Sequence, residues 1–129
     1  QKVMNIDIRE FEKIVPQRIK TSVYFNRQRK QLVFSEPLCE QLKLKPGDHV
    51  DIYRNKHTFI LQKSKTGLFI VRYYNKRPNN GFTSCCLTGD NILLQIGAYI
   101  DDNAKMCFTV LENNEGLMFK QWEGEDDEQ

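Results

Sequence analysis

Apolar and polar positions change places along this chain in short bursts, and the period of each burst decides the element. Ser22-Val23-Tyr24-Phe25-Asn26 and Gln31-Leu32-Val33-Phe34 are rich in β-branched and aromatic residues and flank the polar stretch 27–30. That predicts a hairpin with a basic tip. Ser35 then stands where a helix cap belongs, and Glu36 and Pro37 suit a first turn. Leu38 and Leu42, with Cys39 beside them, fall at helical spacing, while Lys43-Leu44-Lys45-Pro46-Gly47-Asp48 ends the helix in a turn. A second hairpin is expected next, with Val50, Ile52 and Tyr53 before a turn at Asn55-Lys56, and Phe59 and Leu61 after it.

The second half repeats this grammar. Leu68 to Tyr74 reads as one strand, Asn75 to Gly81 as a turn-rich loop, and Phe82 to Leu87 as another strand. Asp90 starts a second short helix, Asn91 to Ile96, which Gly97 stops. Met106 to Leu111 and Leu117 to Trp122 are expected to pair across residues 112–116. The order strand, short helix, turn, hairpin therefore occurs twice, around Leu32 to Leu61 and around Cys85 to Lys120, with Leu42-Lys43-Leu44 opposite Leu94-Gln95-Ile96. At the start of the chain Ile6 and Ile8 alternate before Pro16 interrupts, the pattern of an arm or edge strand. The expected fold is mainly β with short helices, one domain over residues 1–122, comprising an arm (1–20), a first unit (21–65) and a second (68–122). Residues 123–129 are too poor in apolar side chains to pack and read as an acidic tail.

Composition supports a folded chain: 40% hydrophobic and 28% charged residues are ordinary globular values. No apolar run approaches the ~20 residues that cross a bilayer, and no secretory signal core is visible, so a cytoplasmic protein without membrane contact is expected. The net charge of +2 conceals a segregation. Up to Arg77 there are 17 Lys/Arg against 7 Asp/Glu, and from Pro78 onward 2 against 10, a split of +10 and −8. Such asymmetry points to a basic surface for a polyanion and an acidic counterpart. Arg18, Lys20, Arg27, Arg29 and Lys30 form the main candidate surface for nucleic acid, with Arg54 and Lys56 at a second hairpin tip. Tyr24, Phe25, Tyr73 and Tyr74 are candidates to stack bases where exposed and core residues where not.

Catalytic and metal chemistry find little support. Cys39, Cys85, Cys86 and Cys107 lack the paired spacing of a zinc ribbon and read as buried thiols, and no ligand spacing joins Cys39 to His49 and His57. There is no Gly-rich phosphate loop, and the acid pairs Asp101-Asp102 and Asp126-Asp127 fall in a loop and in the tail. The expectation is a non-enzyme without cofactor or metal.

Leu38-Cys39-Glu40-Gln41-Leu42-Lys43-Leu44-Lys45-Pro46-Gly47-Asp48-His49-Val50-Asp51-Ile52, preceded by Gln31 to Pro37, resembles the swapped-hairpin module of the AbrB, MazE and SpoVT transcription factors. The resemblance implies a small β-barrel in which two copies of the module, usually from two subunits, interlace and lay basic residues on DNA. With two related units in one chain, it implies either a monomeric pseudo-dimer or a homodimer. Where that family favours Gly-Arg at the tip this chain has Lys30-Gln31, where it favours Pro before the helix it has Ser35, and a commonly basic helix position is Cys39. Contact with the phosphate backbone, of DNA ahead of RNA, is thus expected ahead of base reading, in a transcription-regulator or accessory role. The alternative is a protein-binding adaptor or inhibitor that uses strand edges and charge complementarity.

Overall fold

The computed structural model describes residues 4–14, 21–74 and 82–123. The chain is mainly β, and the described residues form nine strands in two antiparallel sheets. The first hairpin forms where the sequence places it, as β1 (Val23–Asn26) and β2 (Gln31–Phe34), with Val23 opposite Phe34 and Asn26 opposite Gln31. Alternation turns Phe25, Leu32 and Phe34 inward, each with no exposed surface. Helix α1 (Glu36–Leu42) follows and buries Leu38, Cys39 and Leu42. Ser35 occupies its cap position, but its Oγ accepts the amide of Ser22 at 2.8 Å and ties the helix entry to β1. Lys43 takes a left-handed φ of 54° to end the helix, the Pro-Gly turn carries the chain on, and β3 (His49–Asn55) and β4 (Thr58–Lys63) close the second hairpin.

The expected single strand from Leu68 to Tyr74 is instead two bridges that serve different sheets. β5 (Phe69–Ile70) pairs with β3, and β6 (Arg72–Tyr73) pairs with β7 (Cys85–Thr88). The chain crosses between sheets at Val71, which is fully buried and exchanges backbone hydrogen bonds of 2.8 Å with Gly47 and Asp48. Leu68, apolar by sequence, is left outside and is 88% exposed. Helix α2 (Asp90–Gln95) opens on Gly89, whose φ of 126° suits glycine, so Asp90 sits in the first turn instead of at the cap. Strands β8 (Met106–Val110) and β9 (Gly116–Gln121) complete the fold.

Strand order is β1-β2-β7-β6 in one sheet and β5-β3-β4-β9-β8 in the other. With β1, β2, α1, β3 and β4 matched to β6, β7, α2, β8 and β9, the first order and the run β3-β4-β9-β8 of the second each read the same from both ends. The seams join counterparts, β2 to β7 and β4 to β9. A constant offset takes β2 onto β7 and Glu36 onto Asp90, so that buried Leu38 and Leu42 match buried Ile92 and Ile96. The alignment expected from sequence, Leu42 opposite Leu94, is therefore two residues out of register, and Leu94 is 68% exposed. One core runs between the sheets, joining Phe25, Phe34 and Leu87 to Val50, Phe59 and Phe119. Among the described residues the two sheets do not join into a closed barrel. The arm over residues 4–14 forms no strand, only a single 3-10 turn at Ile8–Glu10, and no described helix is long and apolar enough to cross a membrane. The loop expected at 75–81 and the tail beyond Glu123 lie outside the described residues.

Candidate nucleic-acid interface

The basic tip of the first hairpin is a four-residue turn closed by the Lys30 amide on the Arg27 carbonyl (3.2 Å), with Lys30 at φ 55°. The Asn26 side chain accepts the Arg29 amide at 3.0 Å and fixes the start of the turn. At the far end of β3 the second tip turns at Lys56-His57, with Lys56 at φ 57°. Both tips lean on the segment that follows α2. The Arg27 guanidinium donates to the carbonyls of Gly97 (2.7 Å) and Ile100 (3.3 Å), and it lies 5.4 Å from the Phe25 ring centre. The Arg54 guanidinium stacks 4.2 Å over Tyr99 and donates to the Lys56 carbonyl at 3.0 Å. Tyr99 in turn meets His57 and Phe59 edge-on. Two successive hairpins therefore bring Arg27, Arg29, Lys30, Arg54 and Lys56 to one end of the molecule, while Arg18 and Lys20 lie outside the described residues.

Acidic side chains from the second half enter this same end. Asp102 accepts the Arg27 amide at 2.6 Å, and Lys30 Nζ lies 2.6 Å from Asp90 Oδ1. That hydrogen bond and the Lys30 charge hold the Asp90 carboxyl below the usual carboxylate range. The basic patch is thus less uniform than the segregation along the chain suggests: Arg27, Lys30 and Arg54 are engaged within the fold, and Arg29 and Lys56 project from exposed turns. Tyr99 and Asp102 organise the patch; by sequence Tyr99 is no candidate, and Asp102 reads only as half of a loop acid pair. Their signal was the longer segment before the last hairpin, Ala98 to Lys105, whose extra length docks on β1 through the Asn103 amide and the Phe25 carbonyl (2.9 Å).

The candidate stacking aromatics separate by burial. Phe25 is core, Tyr73 is 52% exposed, and half-buried Tyr24 meets Tyr74 edge-on at 6.2 Å. Burial and the hydrogen bond with Tyr74 push the Tyr24 phenol up to about 12 from an ordinary 10.0. Folding therefore favours the protonated phenol, so its contribution is whole below pH 10 and is lost as pH rises through about 12. Urea denaturation across that range is expected to show a steeper stability loss in the wild type than in Tyr24→Phe; parallel curves would show that the phenol is not shielded.

Cys39, Cys85 and Cys86 are buried, and Cys107 is half-buried. Cys39 and Cys85 share a thiol hydrogen bond in the core, which lowers the pKa of Cys39 and, with burial, raises that of Cys85. His49 and His57 sit at opposite ends of the β3–β4 hairpin, and among the described residues no three His, Cys, Asp or Glu side chains are grouped to hold a metal ion. Asp102 serves Arg27, whereas Asp101 accepts from the Gln121 amide group at 3.0 Å, so the pair is divided between two structural contacts. Comparison with protein-family models, curated proteins and solved structures found no match to this chain.

Proposed function

We propose that this protein binds nucleic acid, DNA ahead of RNA, through the end of the molecule where the two basic hairpin tips meet. The observation that carries the reading is the convergence of Arg27 and Arg54 on Gly97 to Ile100, which gathers cations from separate hairpins around Tyr99. The palindromic strand order supports a single-chain counterpart of the AbrB-like swapped hairpin, with both module copies in one chain and no second subunit needed. Arg29 and Lys56, carried on exposed turns, are suited to phosphate contact, and a transcription-regulator or accessory role fits that use. Binding of a labelled duplex followed by fluorescence anisotropy should weaken steeply with salt, by ~10³-fold between about 50 and 200 mM if six phosphates are neutralised. The double variant Arg29→Gln/Lys56→Gln should bind about tenfold more weakly, with a salt slope shallower by about 2. Binding that ignores salt, or that survives the double substitution unchanged, would overturn the reading.

One observation favours the protein-partner alternative. The arm exposes Met4, Ile6, Ile8, Phe11 and Ile14, each more than 60% accessible. Apolar side chains gathered in this way mark contact surfaces. Removal of residues 1–14 leaves nucleic-acid affinity unchanged under the first reading and abolishes partner capture under the second.

A further inference from the structure

At the other end of the β3–β4 hairpin from Lys56, a cleft of about 480 Å³ is lined by Lys43, Gly47, Asp48, His49, Lys63, Ser64 and Lys65. None of its lysines belongs to the patch around Tyr99. We infer that this cleft is an anion site for a phosphate group, separate from the hairpin-tip surface and independent of what that surface binds. Three lysines from three places in the fold line one cleft: Lys43 at the end of α1, Lys63 at the end of β4 and Lys65 in the turn beyond it. Asp48 is the single carboxylate among the lining residues, and its Oδ2 already accepts the Lys45 amide at 2.9 Å. Three positive charges against one negative leave an excess of two, the charge of a phosphate monoester or of two neighbouring phosphodiesters. A monocarboxylate would leave the site half-neutralised.

One of the three cations is held in place by the backbone. Lys63 Nζ donates to the carbonyls of Leu42 (3.0 Å) and Lys43 (3.4 Å), so its charge is fixed at the carbonyl end of α1. The left-handed backbone at Lys43 and the φ of 95° at Gly47 shape two sides of the cleft. His49 Nδ1 lies 3.0 Å from the Gly67 carbonyl, which makes Nδ1 the protonated nitrogen and leaves Nε2 as the ring's second polar atom. Lysine binds phosphate as a compact point charge with rotatable donors, and three lysines can surround a tetrahedral anion without the planar fork an arginine imposes.

Amide NMR shifts of the full chain provide the test, with sodium tripolyphosphate and a duplex oligonucleotide as separate probes. Tripolyphosphate that saturably shifts amides between residues 43 and 49 and between 63 and 67 identifies a site for a free phosphorylated molecule. A duplex that shifts them while tripolyphosphate does not identifies a phosphodiester contact. Either effect should weaken by about tenfold in Lys43→Asn/Lys65→Gln, chosen because asparagine tolerates the left-handed backbone and Lys63, which caps α1, is left intact. Arg29→Gln/Lys56→Gln should leave these shifts untouched, which separates failure of this site from failure of the hairpin-tip reading. Shifts absent with both probes, or unaltered in Lys43→Asn/Lys65→Gln, would overturn the inference.

Discussion

Phe119→Ala is expected to remove about 3–5 kcal/mol of stability, the cost of deleting a large aromatic side chain from a packed core. Phe119 is 1% exposed, and it stacks on Phe59 with ring centres 5.4 Å apart and planes 14° from parallel. The two residues are register partners on the β4–β9 seam, where the first unit of the chain meets the second. A cavity there opens into the core that both sheets share, which also holds Leu61, Leu117, Phe25 and Phe34. Against the ~5–15 kcal/mol that holds an ordinary domain together, this loss is severe. Urea unfolding should nevertheless remain one transition at a lower midpoint, with Trp122 fluorescence and far-ultraviolet circular dichroism moving together. The midpoint should not depend on protein concentration, since both halves of the seam belong to one chain. Two separated transitions would mean that the halves fold as independent bodies, and a concentration-dependent midpoint would mean that a second copy completes the fold.

The parts of this architecture that could be read from sequence are those decided locally. Val23 to Phe34 forms its hairpin because alternation and a polar tip are both local signals, and α1 starts after Ser35 and stops at Lys43, ahead of the Pro46-Gly47 turn. What escaped was set by distant neighbours. The segment from Leu68 to Tyr74 looks like one strand by propensity, yet Val71 is drawn into the core and hands the chain from one sheet to the other. Leu94 and Ile96 are equally apolar in sequence, and only the packing of α2 decides that Ile96 goes inward. The candidate site follows the same division. Its cations are visible in the sequence, whereas the carboxylates and carbonyls that hold Arg27 and the Lys30 side chain lie 60 or more positions away and announce themselves by no local pattern.

Arg27 is where that division has a measurable consequence. By sequence it belongs with Arg29 as a tip cation, but its guanidinium crosses to the carbonyls of Gly97 and Ile100, and its amide is held by Asp102. Those carbonyls follow a six-residue helix with no basic side chain in its last turn, so Arg27 supplies the cation that the helix lacks. Arg27→Met keeps the apolar stem over Phe25 and deletes the donors. It is expected to cost about 2 kcal/mol, within the range for hydrogen bonds to a charged group. Arg27→Lys should recover only part of this, because one ammonium cannot reproduce the planar fork. Arg29→Gln, on an exposed turn, should change stability by less than about 0.5 kcal/mol while weakening nucleic-acid binding. Thermal denaturation and anisotropy on the same three variants separate the two roles. If Arg27→Met melts like the wild type and loses affinity as Arg29→Gln does, Arg27 belongs to the binding surface and the contacts with Gly97 and Ile100 contribute nothing to the fold.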